Sequence, residues 1–292
     1  MRKLRVVFLA IVSAAPLLAQ TAPDTTKFPP SMQSMAIPSH GSPLLGVFYL
    51  AAGVGPHPTV ILFHGFPGYE QNLDLAQALR AHGWNALAVH YRGSWGVKGD
   101  FSFEHCVQDA DAQVQFVLNP ENAAKYRVDT GRVIVLGHSM GGFMAASATA
   151  HSKQIAGAAL ISAWNIGADF ETRRHLKDEQ TSIEKEAEGL EEDGNLSPLA
   201  GTSGLFLAHE IYDHKSALNF NNLAPAIAPR PVLIVTSNEG LAPSDHALAE
   251  ALRSAGDGKV IERHWDTDHS YSGERAALAD AILEWAKRIL PR

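Results

Sequence analysis

The chain has 292 residues, 46% of them hydrophobic, with 24 Gly and 16 Pro. That is a globular composition, able to bury a sizeable core as one large domain or two small ones. Its net charge is −7 at pH 7, which argues against nucleic acid as a partner, because phosphate binding requires a basic surface.

The N-terminus carries a secretory signature. Residues 1–5 form a basic n-region and residues 6–15 an apolar h-region. Residues 16–20 resemble a cleavage region cut after Ala19 or Gln20. Residues 1–20 are therefore read as a signal peptide, and the protein as secreted or periplasmic. The apolar run is too short to span a bilayer comfortably, so no stable membrane span is expected after cleavage. An uncleaved anchor is the alternative, because Leu17 occupies the position where a smaller residue is usual. Residues 21–42 are rich in Pro, Ser and Thr without periodicity and read as a flexible leader. Cys106 is the only cysteine, which excludes an intrachain disulfide.

Strand and helix signals then alternate. Strands are expected over 44–50, 59–63 and 85–90. A helix spans 73–82 with Leu75, Ala76 and Leu79 on one face, ended by Gly83. A second helix spans 103–118 with Val107, Ala110, Val114 and Val117 aligned. Strands follow at 133–136 and 158–162, with a small-residue helix between them. A strand over 231–235, a helix over 244–255, a strand over 260–264 and a helix over 274–290 complete the pattern. Repeated strand–helix units with apolar strands predict a mostly parallel sheet of the eight-stranded type, covered by helices on both faces. The core is assigned to 43–163 and 226–292. Residues 164–225 break the alternation and read as a helical cap. Within it, the charge-dense stretch 169–193 reads as a solvated helix. Leu205, Phe206 and Ile211 of the next helix are expected to turn inward over the active serine.

The chemistry centres on Gly137-His138-Ser139-Met140-Gly141. This G-x-S-x-G pentapeptide lies between a β-branched run and a helix, the context that presents a nucleophilic serine on a sharp turn. Such a serine needs a base, an acid to orient the base, and donors for the developing oxyanion. His269, in a polar loop between the last strand and last helix, is the candidate base. Glu239, in the loop after the 231–235 strand and four residues before Pro243, is favoured as the acid. Asp245 is its rival, at a helix start where an acid is favoured by the dipole alone. The amides of Phe66 and Met140 are the candidate oxyanion hole, since Pro67 has no N–H to offer. His64 reads as a hydrogen-bonding prop for the oxyanion loop, and Arg92 as a structural hub. His209 and His214 stand five apart and so miss sharing a helix face; no metal site and no cofactor are expected.

Taken together, His64-Gly65-Phe66, Tyr91-Arg92-Gly93-Ser94, the Gly137–Gly141 elbow, the Glu239–Pro243 loop and His269 resemble the α/β-hydrolase superfamily. The resemblance spans roughly residues 44–290. It is similar in particular to prolyl-oligopeptidase-like and dienelactone-hydrolase-like serine hydrolases, and implies an α/β-hydrolase fold with a Ser–acid–His triad. An acid of the Glu type is the less common variant in that superfamily. The chain has no room for the β-propeller of the large oligopeptidases, and its Gly-His-Ser-Met-Gly elbow has a form common among esterases and lipases. The expected function is a secreted serine hydrolase that cleaves small-molecule carboxylic esters through an acyl-enzyme on Ser139. A serine peptidase or amidase with the same triad is the alternative. A non-catalytic binding protein on a hydrolase scaffold is a third reading, weakened because every catalytic part is present.

Overall fold

The computed structural model describes residues 27–173, 178–256 and 259–289. The 1–20 signal segment and the first part of the leader lie outside them. The remainder is not a flexible leader throughout: β1 (Ser31–Ser39) pairs along its whole length with β2 (Ser42–Leu50) as an antiparallel hairpin. β1 is the sheet edge, and only Met35, Ile37 and Ser39 on it are buried. A Pro38-bearing edge strand with one short apolar face has the composition of a linker, which is why its sequence reads as one.

Next come β3 (His57–Phe63), α1 (Leu73–Ala81), β4 (Asn85–Val89), α2 (Phe103–Leu118) and α3 (Pro120–Tyr126). Then follow β5 (Val128–His138), α4 (Met140–His151) and β6 (Ile155–Ile161). The cap region contributes α5 (Ile166–Arg173), α6 (Glu179–Glu191) and α7 (Gly204–His214), and leads into α8 (Ala224–Ile227). The chain closes with β7 (Val232–Thr236), α9 (Ala242–Ser254), β8 (Ile261–His264) and α10 (Arg275–Ile289). The sheet has eight strands in the order β1-β2-β4-β3-β5-β6-β7-β8, and only β2 runs against the rest.

The strands sort their side chains with period two. Ile61, Phe63, Val133, Val135, Ala158, Leu160, Val232 and Ile234 face a core shared with α2, α4, α9 and the cap. Their neighbours Val60, Leu62, Ile134, Leu136, Ala159, Ile161, Leu233 and Val235 face α1 and α10. Burial on both sides explains why these strands are continuous apolar runs. α3 carries its own start signal, an Asn119 side chain that accepts from the Glu121 and Asn122 amides ahead of Pro120.

The 169–193 stretch is two helices, not one. α6 is solvated on its charged face but buries Ile183, Ala187 and Leu190. In α7 the expected inward face is corrected. Leu205 and Phe206 are 47% and 51% exposed, whereas Leu207, Ala208 and Ile211 are fully buried. Residues 207, 208 and 211 share the inner helical stripe, and the first-turn residues 205 and 206 fall off it. The 164–225 segment is fastened to the loop that follows β4. Leu199 bridges Ser94, Ala200 N donates to Gly93 O at 2.8 Å, and Phe101 N donates to Ala200 O at 2.9 Å. Glu210 of α7 accepts from the Phe103 and Glu104 amides at 2.9 and 2.8 Å, placing a carboxylate on the N-terminus of α2.

Arg92 is the hub its sequence suggested. Its Nε donates to Asp109 Oδ1 and its backbone N to Asp109 Oδ2, both at 2.7 Å. Ser39 of β1 donates to the same carboxylate at 2.6 Å. Asp109 is fully buried, so this one side chain joins the edge strand, the loop after β4 and α2. Removing one partner of a buried pair strands the other charge, so Asp109→Ala should destabilise the protein by about 3–5 kcal/mol. Urea unfolding of the variant and parent measures this directly; a loss under about 1 kcal/mol, the range of an exposed pair, would contradict the hub role.

Candidate active site

The candidate residues collect at the C-terminal ends of the parallel strands, where ligands bind in open α/β sheets. Ser139 follows β5 and precedes α4, with φ 57° and ψ −124°. A non-glycine residue in that region carries strain of about 1–3 kcal/mol, and such strain clusters at functional sites. The turn closes only because its neighbours lack side chains. A Cβ on Gly137 would stand 1.9 Å from Gly141 O, and one on Gly141 would stand 2.0 Å from Phe63 O. The elbow is held from outside as well, by Ser139 N donating to Ile161 O at 3.0 Å and Trp164 N donating to Ser139 O at 2.9 Å. Ser139 itself is half-buried.

Met140 is the first residue of α4, so its amide precedes the first intrahelical hydrogen bond and lies at the positive end of the helix dipole. Phe66 lies in the loop after β3. That loop passes close beside Ser139: a Cβ on Gly65 would be 2.9 Å from Ser139 Cβ. His64 props it, as its sequence position implied. The ring Nδ1–H donates to Gly65 O at 2.8 Å, which leaves Nε2 to accept from His90 Nδ1 at 3.2 Å. Burial, reinforced by the neighbouring His90, lowers the His64 pKa to about 3, so this ring stays neutral. Phe66 packs against Phe101, Phe103 and Trp164 at ring separations of 5.8, 6.2 and 6.4 Å.

His269 and Glu239 face each other. Nδ1 of His269 lies 3.7 Å from Glu239 Oε1. That is an ion-pair distance rather than a formed hydrogen bond, and both atoms are buried without any other partner. Burial alone would raise the Glu239 pKa, but His269 and the Ser162 hydroxyl outweigh it and hold the carboxyl below its ordinary value. The two loops are fastened together: Trp265 N donates to Thr236 O at 3.0 Å and Asn238 N to Thr267 O at 3.1 Å. The nearby acids are occupied elsewhere, Asp266 with the Asn238 amide and Asp268 with the Ser272 amide.

One contact was not legible in the sequence. His138, which reads only as a variable position of the pentapeptide, donates Nε2–H to His269 O at 2.8 Å. Its ring packs on the His269 ring at 4.5 Å. Burial, together with the neighbouring His269, lowers the His138 pKa to about 3. The residue before the elbow serine therefore fixes the candidate base in place as a neutral ring. Only its motif position could have hinted at this, since the partners are 131 residues apart.

Asp245 sits apart from the base. It is fully buried in the first turn of α9 and accepts from Ala163 N at 3.1 Å, with its other oxygen unpartnered. Among the described residues, no group of three or more His, Cys, Asp or Glu is arranged to hold a metal ion, and no helix is long and apolar enough to cross a membrane.

A family model described as serine aminopeptidase, S33, matches residues 55–178. No curated protein matches the chain in sequence. Among solved structures, an esterase of Pyrococcus furiosus superposes with a TM-score of 0.66 at 18% identity, over 97% of this chain and 99% of its own. Est1E of Butyrivibrio proteoclasticus, solved with ferulic acid bound, gives 0.69 at 18% identity, over 87% of this chain and 98% of its own. An acylaminoacyl peptidase of Pyrococcus horikoshii gives 0.66 at 16% identity, over 89% of this chain but 42% of its own. The chain has the α/β-hydrolase fold, as the resemblance of its motifs implied.

Asp245 carries a prediction with a definite sign. Burial, with the Glu239 and Glu262 charges adding to it and the Ala163 amide opposing, raises its pKa well above the ordinary carboxylate value. The folded state then binds the proton more tightly than the unfolded chain, so stability falls as pH rises from about 4 toward the folded value. Asp245→Asn removes that loss. The variant should match the parent near pH 4 and exceed it in stability by a margin that widens as pH rises to neutral. Unfolding titrations at several pH values test this, and a stability gap that does not grow with pH would contradict it.

Proposed function

We propose that the protein is a secreted serine hydrolase that cleaves small-molecule carboxylic esters through an acyl-enzyme on Ser139. The observation that carries the reading is the facing of Glu239 and His269 at 3.7 Å, with the His269 ring packed on His138, the residue next to a strained elbow serine. Secretion rests on the basic and apolar character of residues 1–20.

In this mechanism His269 accepts the Ser139 hydroxyl proton as Oγ attacks the ester carbonyl carbon. The carbonyl π electrons move onto oxygen, and the Phe66 and Met140 amides receive that oxyanion. Collapse breaks the bond to the alcohol oxygen, which takes the proton back from His269. Water then enters, gives a proton to His269 and attacks the acyl carbon. The second collapse returns the proton to Ser139 Oγ and releases the carboxylic acid. Glu239 holds the imidazole in the tautomer that leaves its far nitrogen free, and offsets the positive charge formed in each half-reaction.

Esters are preferred to amides because the chain matches esterases over their full length but only part of the peptidase. The second reading, amide hydrolysis, is favoured by the description of the family model. A paired assay separates them: a short-chain p-nitrophenyl ester against an aminoacyl p-nitroanilide. Turnover of the ester with little of the anilide is expected; the reverse would favour the peptidase.

Ser139→Ala should lower ester kcat by about 10⁴-fold while the protein stays folded, and a serine-directed phosphonate should label Ser139 alone. Glu239→Gln should lower kcat by about 10²–10⁴-fold, with Asp245→Asn close to the parent. A folded Ser139→Ala enzyme with a tenth of parental activity would overturn the mechanism, and the opposite ranking of the two acids would reassign the orienting carboxylate.

A further inference from the structure

Behind the acid, three hydroxyls form a line. Tyr271 OH lies 2.8 Å from Ser162 Oγ, and Ser162 Oγ lies 3.2 Å from Ser237 Oγ. Ser237 Oγ in turn contacts Glu239 Oε2. All three hydroxyl-bearing residues are buried. They come from three separate places: the end of β6, the end of β7 and the His269 loop.

The carboxylate at the end of the line sets the direction of the bond next to it. An ionised carboxylate only accepts, so Ser237 donates to Glu239. The Ser237 oxygen is then free to accept from Ser162, and the Ser162 oxygen to accept from Tyr271. Burial raises the Tyr271 pKa above its ordinary value; the Ser162 and Ser237 hydroxyls oppose this and the Glu239 charge adds to it, so the phenol keeps its proton. Hydrogen bonds aligned head to tail in a buried setting polarise one another.

The backbone carries a second observation. Ser162 and Tyr271 are both held at positive φ, 40° and 59°, although neither is glycine. Each such residue is strained and persists only where surrounding structure holds it. Two of the three hydroxyls thus sit on strained backbone, and both strained positions aim along the same line.

We propose that Tyr271, Ser162 and Ser237 are positioning residues that fix the Glu239 carboxylate for His269. The inference rests on the serine-hydrolase reading given above. With Oε2 pinned by Ser237, Oε1 is left facing His269 Nδ1 and has no other partner. The longer Glu side chain suits this double attachment, because it must reach from Ser237 at the β7 end to the ring of His269. Tyr271, two residues after His269, ties the base loop to the same line.

A double-mutant cycle tests the proposal on the full-length protein. Ser237→Ala and Tyr271→Phe are each made in the parent and in a Glu239→Gln background, with Ser162→Ala as a third, independent break. In the parent, kcat for a short-chain p-nitrophenyl ester should fall by about 10-fold or more for Ser237→Ala and about 3-fold or more for Tyr271→Phe, with KM within about 2-fold. In the Glu239→Gln background the same changes should cost less than about 2-fold, because the line no longer serves an ionised carboxylate. Equal losses in both backgrounds would mean that the hydroxyls only support the loops, and overturn the proposal. So would unchanged kcat in the parent for any two of the three breaks. If the parent does not turn over the ester, or Ser139→Ala retains its activity, the hydrolase reading fails and this inference falls with it; that result appears before any hydroxyl is altered.

Discussion

The architecture depends on one backbone-to-backbone contact. The first turn of α4 lies against the end of β3, close enough that a Cβ on Gly141 would meet Phe63 O at 2.0 Å. That contact brings the amide of Met140 and the loop carrying Phe66 to the same side of Ser139. Any side chain there would push α4 away from the sheet, and the two candidate oxyanion donors with it. The strain at Ser139 is the local cost of the arrangement. It is offset by bonds on either side of the elbow, to Ile161 O and from Trp164 N. The end of β6 and the segment just after it supply those bonds, so the elbow is tied to the neighbouring strand.

Around that contact, the structure assigns different tasks to chemically similar groups by their surroundings. Glu239 and Asp245 both follow β7, six residues apart. Glu239 is half-buried and meets an imidazole and a hydroxyl, which keep it charged. Asp245 is fully buried with a single amide donor, which favours its neutral form. Only a carboxylate that stays ionised can offset the charge on a protonated histidine.

Much of this was legible in the sequence, for identifiable reasons. The central strands are buried on both faces, so they are unbroken apolar runs. α2 obeys the helical period along its full span, Phe103–Leu118. Glu239 is nominated by its distance to Pro243 and His269 by its place after the last strand, and the fold brings the two face to face. What the sequence hid lies where local pattern carries no signal. β1 is an edge strand whose pairing partner, not its composition, makes it a strand. The inner stripe of α7 is offset from the residues that look most hydrophobic, because a helix buries by angle rather than by rank. The line from Tyr271 to Glu239 joins residues as far as 109 positions apart, and common Ser and Tyr side chains acquire meaning only when folding brings them together.

The histidines around the site make the same point about the base. His64, His138 and His269 all lie near Ser139 in space, and a proton acceptor could be sought in any of them. Burial lowers the first two to about 3, and each already has a backbone carbonyl to which one ring nitrogen donates. A base that weak gains little by taking a serine proton near neutral pH. Deep burial suits these rings as props: a neutral imidazole with one N–H and one lone pair gives a hydrogen bond of fixed direction. His269 differs in the two respects that matter. It is partly exposed, so water can reach and solvate its charged form, and its Nδ1 faces a carboxylate. The two buried histidines therefore brace the loops that carry Phe66 and His269, and leave His269, between solvent and Glu239, as the candidate for proton transfer.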